Sequence, residues 1–344
     1  GDILWTSPNT FVASANCALY CGAKPDFVDI DPHTYNISVD AMKAKLSKAK
    51  KNGCLPKIVI PVHFAGLPYD IEAIKRIADE YKLVVIEDAC HALGAQWEDS
   101  KGRWHKIGSC SHSDMTVFSF HPVKHITTGE GGAITTNNQD LYEKLLLLRT
   151  HGITKNPAKF VNEDLAYSPS ENSLTVLTPR SSNVNPWYYE MQELGFNYRI
   201  TDIQCALGLS QLNKLDVFVE KRRSIAAKYD EAFKDIEWIK TPIESEASHS
   251  TYHLYVVQID FNKLGKNRSQ VMTILREKGV GTQVHYIPIH LQPYYGNKFG
   301  YKDGDYPIAE IFYSKALSLP IYPKMAEEDV EKVVKSIVGV LDVK

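Results

Sequence analysis

The chain has 344 residues, 44% of them hydrophobic, and a formal net charge of -2. That length suits a large α/β domain with a smaller one, and that composition can bury a substantial core. The near-neutral balance leaves no basic footprint for nucleic acid, and no apolar run is long enough to span a bilayer. Gly1-Asp2-Ile3-Leu4-Trp5 lacks the basic start and apolar stretch of a signal peptide, and it already reads as a strand. Further sequence is therefore expected upstream of Gly1. The six cysteines (Cys17, Cys21, Cys54, Cys90, Cys110 and Cys205) are scattered. Cys17 and Cys21 have a loose metal-like spacing, but they lie in an apolar helical run with no second pair. Buried free thiols of a reducing cytosol are favoured over zinc.

Asp2 to Ser7 reads as a buried strand. Thr10 to Tyr20 reads as a helix capped by Asn9 or Thr10 and ended by Gly22. A strand is predicted from Lys24 to Asp31, a helix from Ser38 to Lys51, and a β-branched strand from Lys57 to Phe64. Asp70 to Tyr81 carries Ile71, Ile74, Ile77 and Ala78 at helical spacing. Leu83 to Glu87 is a short apolar strand leading into Asp88. Strands that alternate with helices argue for α/β layers and a mainly parallel sheet, and continuous apolar strands fit a sheet covered on both faces. Ligands of such sheets gather at the carboxyl ends of the strands. Asp88, Ser119 and Lys124 all fall there.

Met115 to Phe118 and Ala133 to Thr136 are strand-like, and Lys124 sits between them among hydroxyls, a proline and glycines. A lysine taken at random is a surface charge. A lysine held in a tight connection with apolar flanks is partly desolvated, so its pKa falls and its amine becomes a usable nucleophile for Schiff-base chemistry.

Asn138 to Leu148 reads as a helix. From Ile153 to Pro186, Ser, Asn, Thr and Pro dominate, including Ser168-Pro169-Ser170 and Ser181-Ser182-Asn183, and a long loop is expected. One helix runs from Thr201 through Leu207, Leu209, Leu212 and Leu215. A second, Val217 to Phe233, carries Lys221-Arg222-Arg223, most simply a solvated face. The boundary between a large domain, 1–215, and a small one, 216–344, is placed between these helices. The remainder reads as α+β: a strand over Ser248 to Ile259, a helix over Asn267 to Lys278, a strand-like Gly279 to His290, and a closing helix from Glu327 to Val338.

Ser119-Phe120-His121-Pro122-Val123-Lys124 followed by Thr128-Gly129-Glu130-Gly131-Gly132, and later Gly195-Phe196-Asn197-Tyr198-Arg199-Ile200-Thr201-Asp202, resemble signatures of one family. It is the DegT/DnrJ/EryC1/StrS family of pyridoxal-phosphate sugar aminotransferases, and the likeness runs through nearly the whole chain. The resemblance implies the type I aminotransferase fold, with a mainly parallel seven-stranded sheet in the large domain and a small α+β domain after it. It implies that Lys124 carries pyridoxal 5'-phosphate. Asp88 becomes the partner of the pyridine nitrogen, where the residues alone allow a helix N-cap equally well. His91, where many relatives have Gln, falls near the phenolic oxygen of the cofactor, or is a packed histidine. Phe11 stacks on the pyridine face, or is a core aromatic. Ser119 contacts the phosphate, or is only a small strand residue. Asn197 reaches the cofactor phosphate of a neighbouring subunit in a homodimer, or is a turn asparagine before a helix cap.

His285, Tyr286, His290 and Tyr295 match a region that relatives use around the substrate. These histidines have no locally paired carboxylate or cysteine, which disfavours a metal site. The 153–186 loop is a lid over a sugar nucleotide or an inert insertion. Trp187-Tyr188-Tyr189-Glu190-Met191-Gln192 resembles a subgroup of the pseudaminic acid pathway. The implied reaction moves an amino group from L-glutamate to C4 of a UDP-linked 4-keto-6-deoxy-N-acetylhexosamine, in the cytoplasm. A dTDP-linked acceptor, a non-catalytic relative, and a sugar dehydratase (which has histidine in place of Lys124) are the other readings. Relatives hold the cofactor phosphate partly with a segment upstream of the point where this sequence starts, so weak cofactor binding by these 344 residues alone is expected.

Overall fold

The computed structural model describes residues 1–167 and 184–340. Ser168-Pro169-Ser170 and Ser181-Ser182-Asn183 lie outside the described residues. The chain forms two compact units, residues 1–137 with 203–344, and residues 138–202.

In the larger unit the strands β1 (Ile3–Thr6), β2 (Lys24–Phe27), β3 (Ile58–Ile60), β4 (Val84–Asp88), β5 (Met115–Ser119) and β6 (Gly132–Thr135) form one sheet. Among the described residues it has six strands, in the order β2-β1-β3-β4-β5-β6, where the resemblance implies seven. The first five pair in parallel and β6 runs antiparallel to β5, so the mainly parallel expectation holds. The strands are shorter than predicted for a local reason. β3 stops before Pro61, which has no N–H to give the ladder. After β2, the Asp31 carboxylate accepts from the backbone N–H of His33 and Thr34 and turns the chain.

Helix α1 (Ala13–Tyr20) starts later than expected, with Val12 at its N-cap and no capping side chain. Thr10 is not the cap; its hydroxyl bonds Ser14 instead, at 3.0 Å. Helix α2 (Val39–Lys51) is capped by Ser38, and α3 (Ile71–Tyr81) by Asp70, which accepts from Ala73 N at 3.0 Å. Each such cap is worth about 1 kcal/mol. The predicted face of α3, Ile71, Ile74, Ile77 and Ala78, packs with Trp5, Val59 and Val85 on one side of the sheet. Each large apolar side chain buried there stabilises the fold by about 1.5–3 kcal/mol.

The smaller unit holds α4 (Gln139–Leu148) and an antiparallel pair, Ile153–Thr154 with Glu190–Met191. The Glu190 carboxylate receives the backbone N–H of Val161 and Asn162. The described part of the expected 153–186 loop is therefore organised, with a helical turn at Glu163–Ala166.

Back in the larger unit, α5 (Asp202–Leu212) and α6 (Leu215–Phe233) follow each other closely. The antiparallel sheet of β7 (Ile239–Lys240), β8 (Tyr255–Ile259) and β9 (Ala316–Leu319) packs with α6, α7 (Arg268–Glu277) and α8 (Glu327–Val338) around Tyr229, Tyr255, Leu275 and Val333.

Four expectations are corrected here. Ser248 to Ile259 is not one strand: Ser248–His249 pairs with Gln96–Glu98, and a turn with Tyr252 at φ 44° precedes β8. Gly279 to His290 is irregular rather than a strand, and its backbone meets β9 at an isolated Gln283–Ser318 bridge. The basic triplet on α6 is not a solvated face, because Arg222 is buried and donates to the carbonyls of Tyr252, His253 and Ile321. All six cysteines are free, but of these Cys110 is buried, Cys17, Cys90 and Cys205 are half-buried, and Cys21 and Cys54 are exposed. Among the described residues no helix is long and apolar enough to cross a membrane.

Candidate active site

β4 ends at Asp88 and its parallel neighbour β5 at Ser119, with Asp88 opposite Val117. No helix starts at Asp88, so it is not an N-cap; a turn follows. Its Oδ1 accepts from Cys90 N at 3.1 Å, and its Oδ2 accepts from Ser14 Oγ at 2.6 Å. A hydroxyl has one proton, and that of Ser14 is committed to the carboxylate, so Thr10 Oγ1 must be the donor to Ser14. Two hydroxyls in series thus hold and orient the Asp88 carboxylate.

Lys124 lies in the turn after β5, its N–H donating to His121 O at 2.9 Å. Phe120 N donates to Gly131 O, and Thr128 N to Phe120 O, which closes the connection to β6. Burial lowers the pKa of the Lys124 amine, and the nearby Cys90 and Asp88 only partly oppose this. Ser119, at intermediate burial, accepts from His121 N at 3.3 Å.

His91 follows in the turn after Asp88. Its Nε2 meets the Tyr286 hydroxyl at 3.1 Å, and its ring stacks on that of Tyr286. Burial holds its pKa well below the usual histidine range, reinforced by Lys124, His285 and His125. The imidazole is neutral. Burial, with Asp88 and Cys90 adding to it, raises the pKa of the Tyr286 phenol, which therefore keeps its proton. Phe11 is 60% exposed, not a core aromatic, and its ring lies 6.3 Å from that of Tyr286. His285 Nδ1 meets Ser318 Oγ at 2.8 Å, and burial followed by the Lys124 charge brings its pKa down to about 4.

The structure thus brings Asp88, His91, Lys124, His285 and Tyr286 into one electrostatic neighbourhood, with Phe11 beside Tyr286. It does not bring His290 and Tyr295 there. His290 is fully buried with Nε2 on Glu310 Oε1 at 2.8 Å, and Tyr295 is a core residue whose hydroxyl donates to Asn16 at 2.7 Å. Asn197 belongs to the smaller unit and bridges to Thr150.

Sequence reading missed Ser14, Thr10, Thr251 and His253. Thr251 Oγ1 donates to His91 O at 3.0 Å, and His253 packs its ring 4.4 Å from that of His91. Gly66 makes room for this: at its φ of +100°, a Cβ would stand 2.4 Å from Thr251 Oγ1 and 2.9 Å from His91 O. These contacts join residues far apart in the chain, so no local spacing announces them.

The donor set fits pyridoxal phosphate. The Asp88 oxygens accept only neutral donors among their recorded bonds, which suits a protonated pyridine nitrogen. Burial lowers the pKa of the Lys124 amine, which suits a group that must condense with an aldehyde. His91 Nδ1 has no hydrogen-bond partner among the described residues.

The profile of the DegT/DnrJ/EryC1/StrS aminotransferase family matches residues 1–338. The chain is 38% identical over 338 residues to the spore coat polysaccharide biosynthesis protein SpsC of Bacillus subtilis, covering 98% of this chain and 78% of that protein. It is 34% identical over 340 residues to the UDP-4-amino-4,6-dideoxy-N-acetyl-beta-L-altrosamine transaminase of Campylobacter jejuni, covering 99% and 79%. Helicobacter pylori PseC, an aminotransferase involved in the biosynthesis of pseudoaminic acid, superposes with a TM-score of 0.83 at 28% identity, covering 100% of this chain and 80% of that one. The chain belongs to the DegT/DnrJ/EryC1/StrS aminotransferase family, and it is an enzyme of the pyridoxal-phosphate type.

Proposed function

We propose that the enzyme moves the amino group of L-glutamate to C4 of a UDP-linked 4-keto-6-deoxy-N-acetylhexosamine, a step of pseudaminic acid biosynthesis. The observation that carries the catalytic part is Lys124, a half-buried amine in the neighbourhood of the Asp88 carboxylate at the ends of adjacent strands. The substrate part rests on the 34% identity to the Campylobacter transaminase.

Pyridoxal phosphate, when bound, supplies an aldehyde that condenses with amines and a ring that accepts electrons as a neighbouring C–H bond breaks. Lys124 would hold the aldehyde carbon. Asp88, oriented by the Ser14 hydroxyl, would hold the pyridine N–H. His91 would stand at the phenolic oxygen, Ser119 at the phosphate and Phe11 on the ring face. Lys124 Nζ, when not bound to the aldehyde, would serve as the base that takes a proton from one carbon and returns it to another. Its lowered pKa keeps a usable neutral fraction closer to neutral pH than a surface lysine has. His285 and Tyr286 would line the acceptor side.

We propose further that the enzyme is a cytoplasmic homodimer in which Asn197 of each subunit reaches its neighbour's cofactor phosphate. A boundary between 215 and 216 is supported by the separate apolar core around Tyr229, Tyr255 and Val333. The test is amino transfer from glutamate to a panel of UDP- and dTDP-linked 4-keto sugars, followed by mass spectrometry. Amination of a UDP-linked acceptor is the expected result. Exclusive use of dTDP sugars would overturn the acceptor, and no amino exchange at all would overturn the enzyme.

A further inference from the structure

Behind His91 lies a layer of groups that the reaction does not explain. The His253 ring sits 4.4 Å from the His91 ring at 39°, and His125 lies 5.2 Å beyond it. All three are buried. Burial lowers the pKa of each, that of His125 to about 3, so the cluster is uncharged. Neither His91 nor His253 has a hydrogen-bond partner at Nδ1 among the described residues. The plane of His91 is therefore set at its Nε2 by Tyr286 and otherwise by ring contacts. The backbone that carries His253 is held hard. Arg222, 4% exposed, donates to Tyr252 O at 3.2 Å, to His253 O at 3.2 Å and to Ile321 O at 2.9 Å. Thr251 ties the same turn to His91 O at 3.0 Å, and His125 Nε2 donates to Thr251 O at 3.4 Å. A buried guanidinium whose partners among the described residues are carbonyls is costly, and here it fixes the backbone on either side of the His253 ring.

We propose that His253 is a positioning residue for amino transfer, acting through His91: its ring fixes the plane of the His91 imidazole toward the cofactor, and Arg222 clamps the turn that presents it. The proposal rests on the reading of His91 as a cofactor contact. His253 touches no reacting atom. Its face is what acts, so another flat ring replaces it and an aliphatic side chain does not.

The test uses the full chain with pyridoxal phosphate, read by the absorbance of the bound cofactor across pH, by cofactor affinity and by melting temperature. His253→Ala is expected to shift the spectral pH midpoint and to weaken cofactor affinity roughly three- to tenfold, the range of one aromatic contact. His253→Phe is expected to restore both to within about twofold. His253→Leu fills the volume without a flat face and should behave as alanine does; it serves if the alanine variant does not fold. In a His91→Gln background, His253→Ala should add nothing, because the two act as one unit. Full additivity in that background overturns the proposal, and so does a phenylalanine variant as impaired as leucine. A His91→Gln enzyme with an unchanged spectrum and affinity overturns the cofactor role of His91, and the proposal with it.

Discussion

The Ser14 hydroxyl donates a 2.6 Å hydrogen bond to the Asp88 carboxylate across 74 residues of chain. It comes from the first turn of α1, and Thr10 donates to it in turn. A bond of this kind to a charged acceptor contributes about 1.5–3 kcal/mol.

Ser14→Ala is therefore expected to lower kcat by about tenfold or more, since Asp88 loses the group that orients it. Ser14→Thr keeps the hydroxyl and should retain most of the rate. Steady-state kinetics at saturating cofactor read this. A wild-type rate in Ser14→Ala would mean that Asp88 needs no such support.

Lys124→Ala should abolish both turnover and covalent retention of the cofactor. Lys124→Arg should do the same, because a guanidinium stays protonated and does not condense with an aldehyde. Borohydride reduction followed by peptide mass spectrometry is the check. Cofactor mass on the peptide containing Lys124 is expected in the wild type and in neither variant.

Tyr295→Phe separates core from substrate roles. The variant loses the bond from the tyrosine hydroxyl to Asn16 and nothing at the cluster. Stability should fall by about 1 kcal/mol, with KM for donor and acceptor unchanged. A raised acceptor KM would return Tyr295 to the substrate site.

Acid should unfold the protein through its buried imidazoles. His285 titrates at about 4 in the fold, down from 6.5, and His91, His125 and His253 are lowered too. Below about pH 6.5 the unfolded chain takes up protons that the fold refuses, so stability falls as pH drops. For His285 the loss runs from about 6.5 to about 4 and then stops. In that window His253→Phe should flatten the slope by up to about 1.4 kcal/mol per pH unit. Urea midpoints at several pH values read it; parallel slopes in the two proteins would show that His253 does not titrate on unfolding.

Arg222→Met should cost more than about 3 kcal/mol, because buried carbonyls of Tyr252, His253 and Ile321 lose their donor. Thermal melts report it. A solvated Arg222 would give a change near zero.

The alternation of strand and helix, the capped α2 and α3, and the placing of Asp88 and Lys124 at strand ends were all legible in the sequence. Each depends on local physics: apolar periodicity, a capping side chain, or a carboxylate just after a buried run. A residue motif of fixed spacing around Lys124 did the same for the family. Which groups meet Asp88 and His91 was decided elsewhere. Ser14, Thr251 and His253 reach the cluster only because a parallel sheet brings distant strand ends together and Gly66 lets a turn close on His91. The same folding buried Arg222, which its charged neighbours had marked as solvated, and placed Tyr295 and His290 in the core despite their motif. Spacing along a chain encodes neighbours in an element, whereas burial and cross-chain hydrogen bonds exist only once the elements have packed.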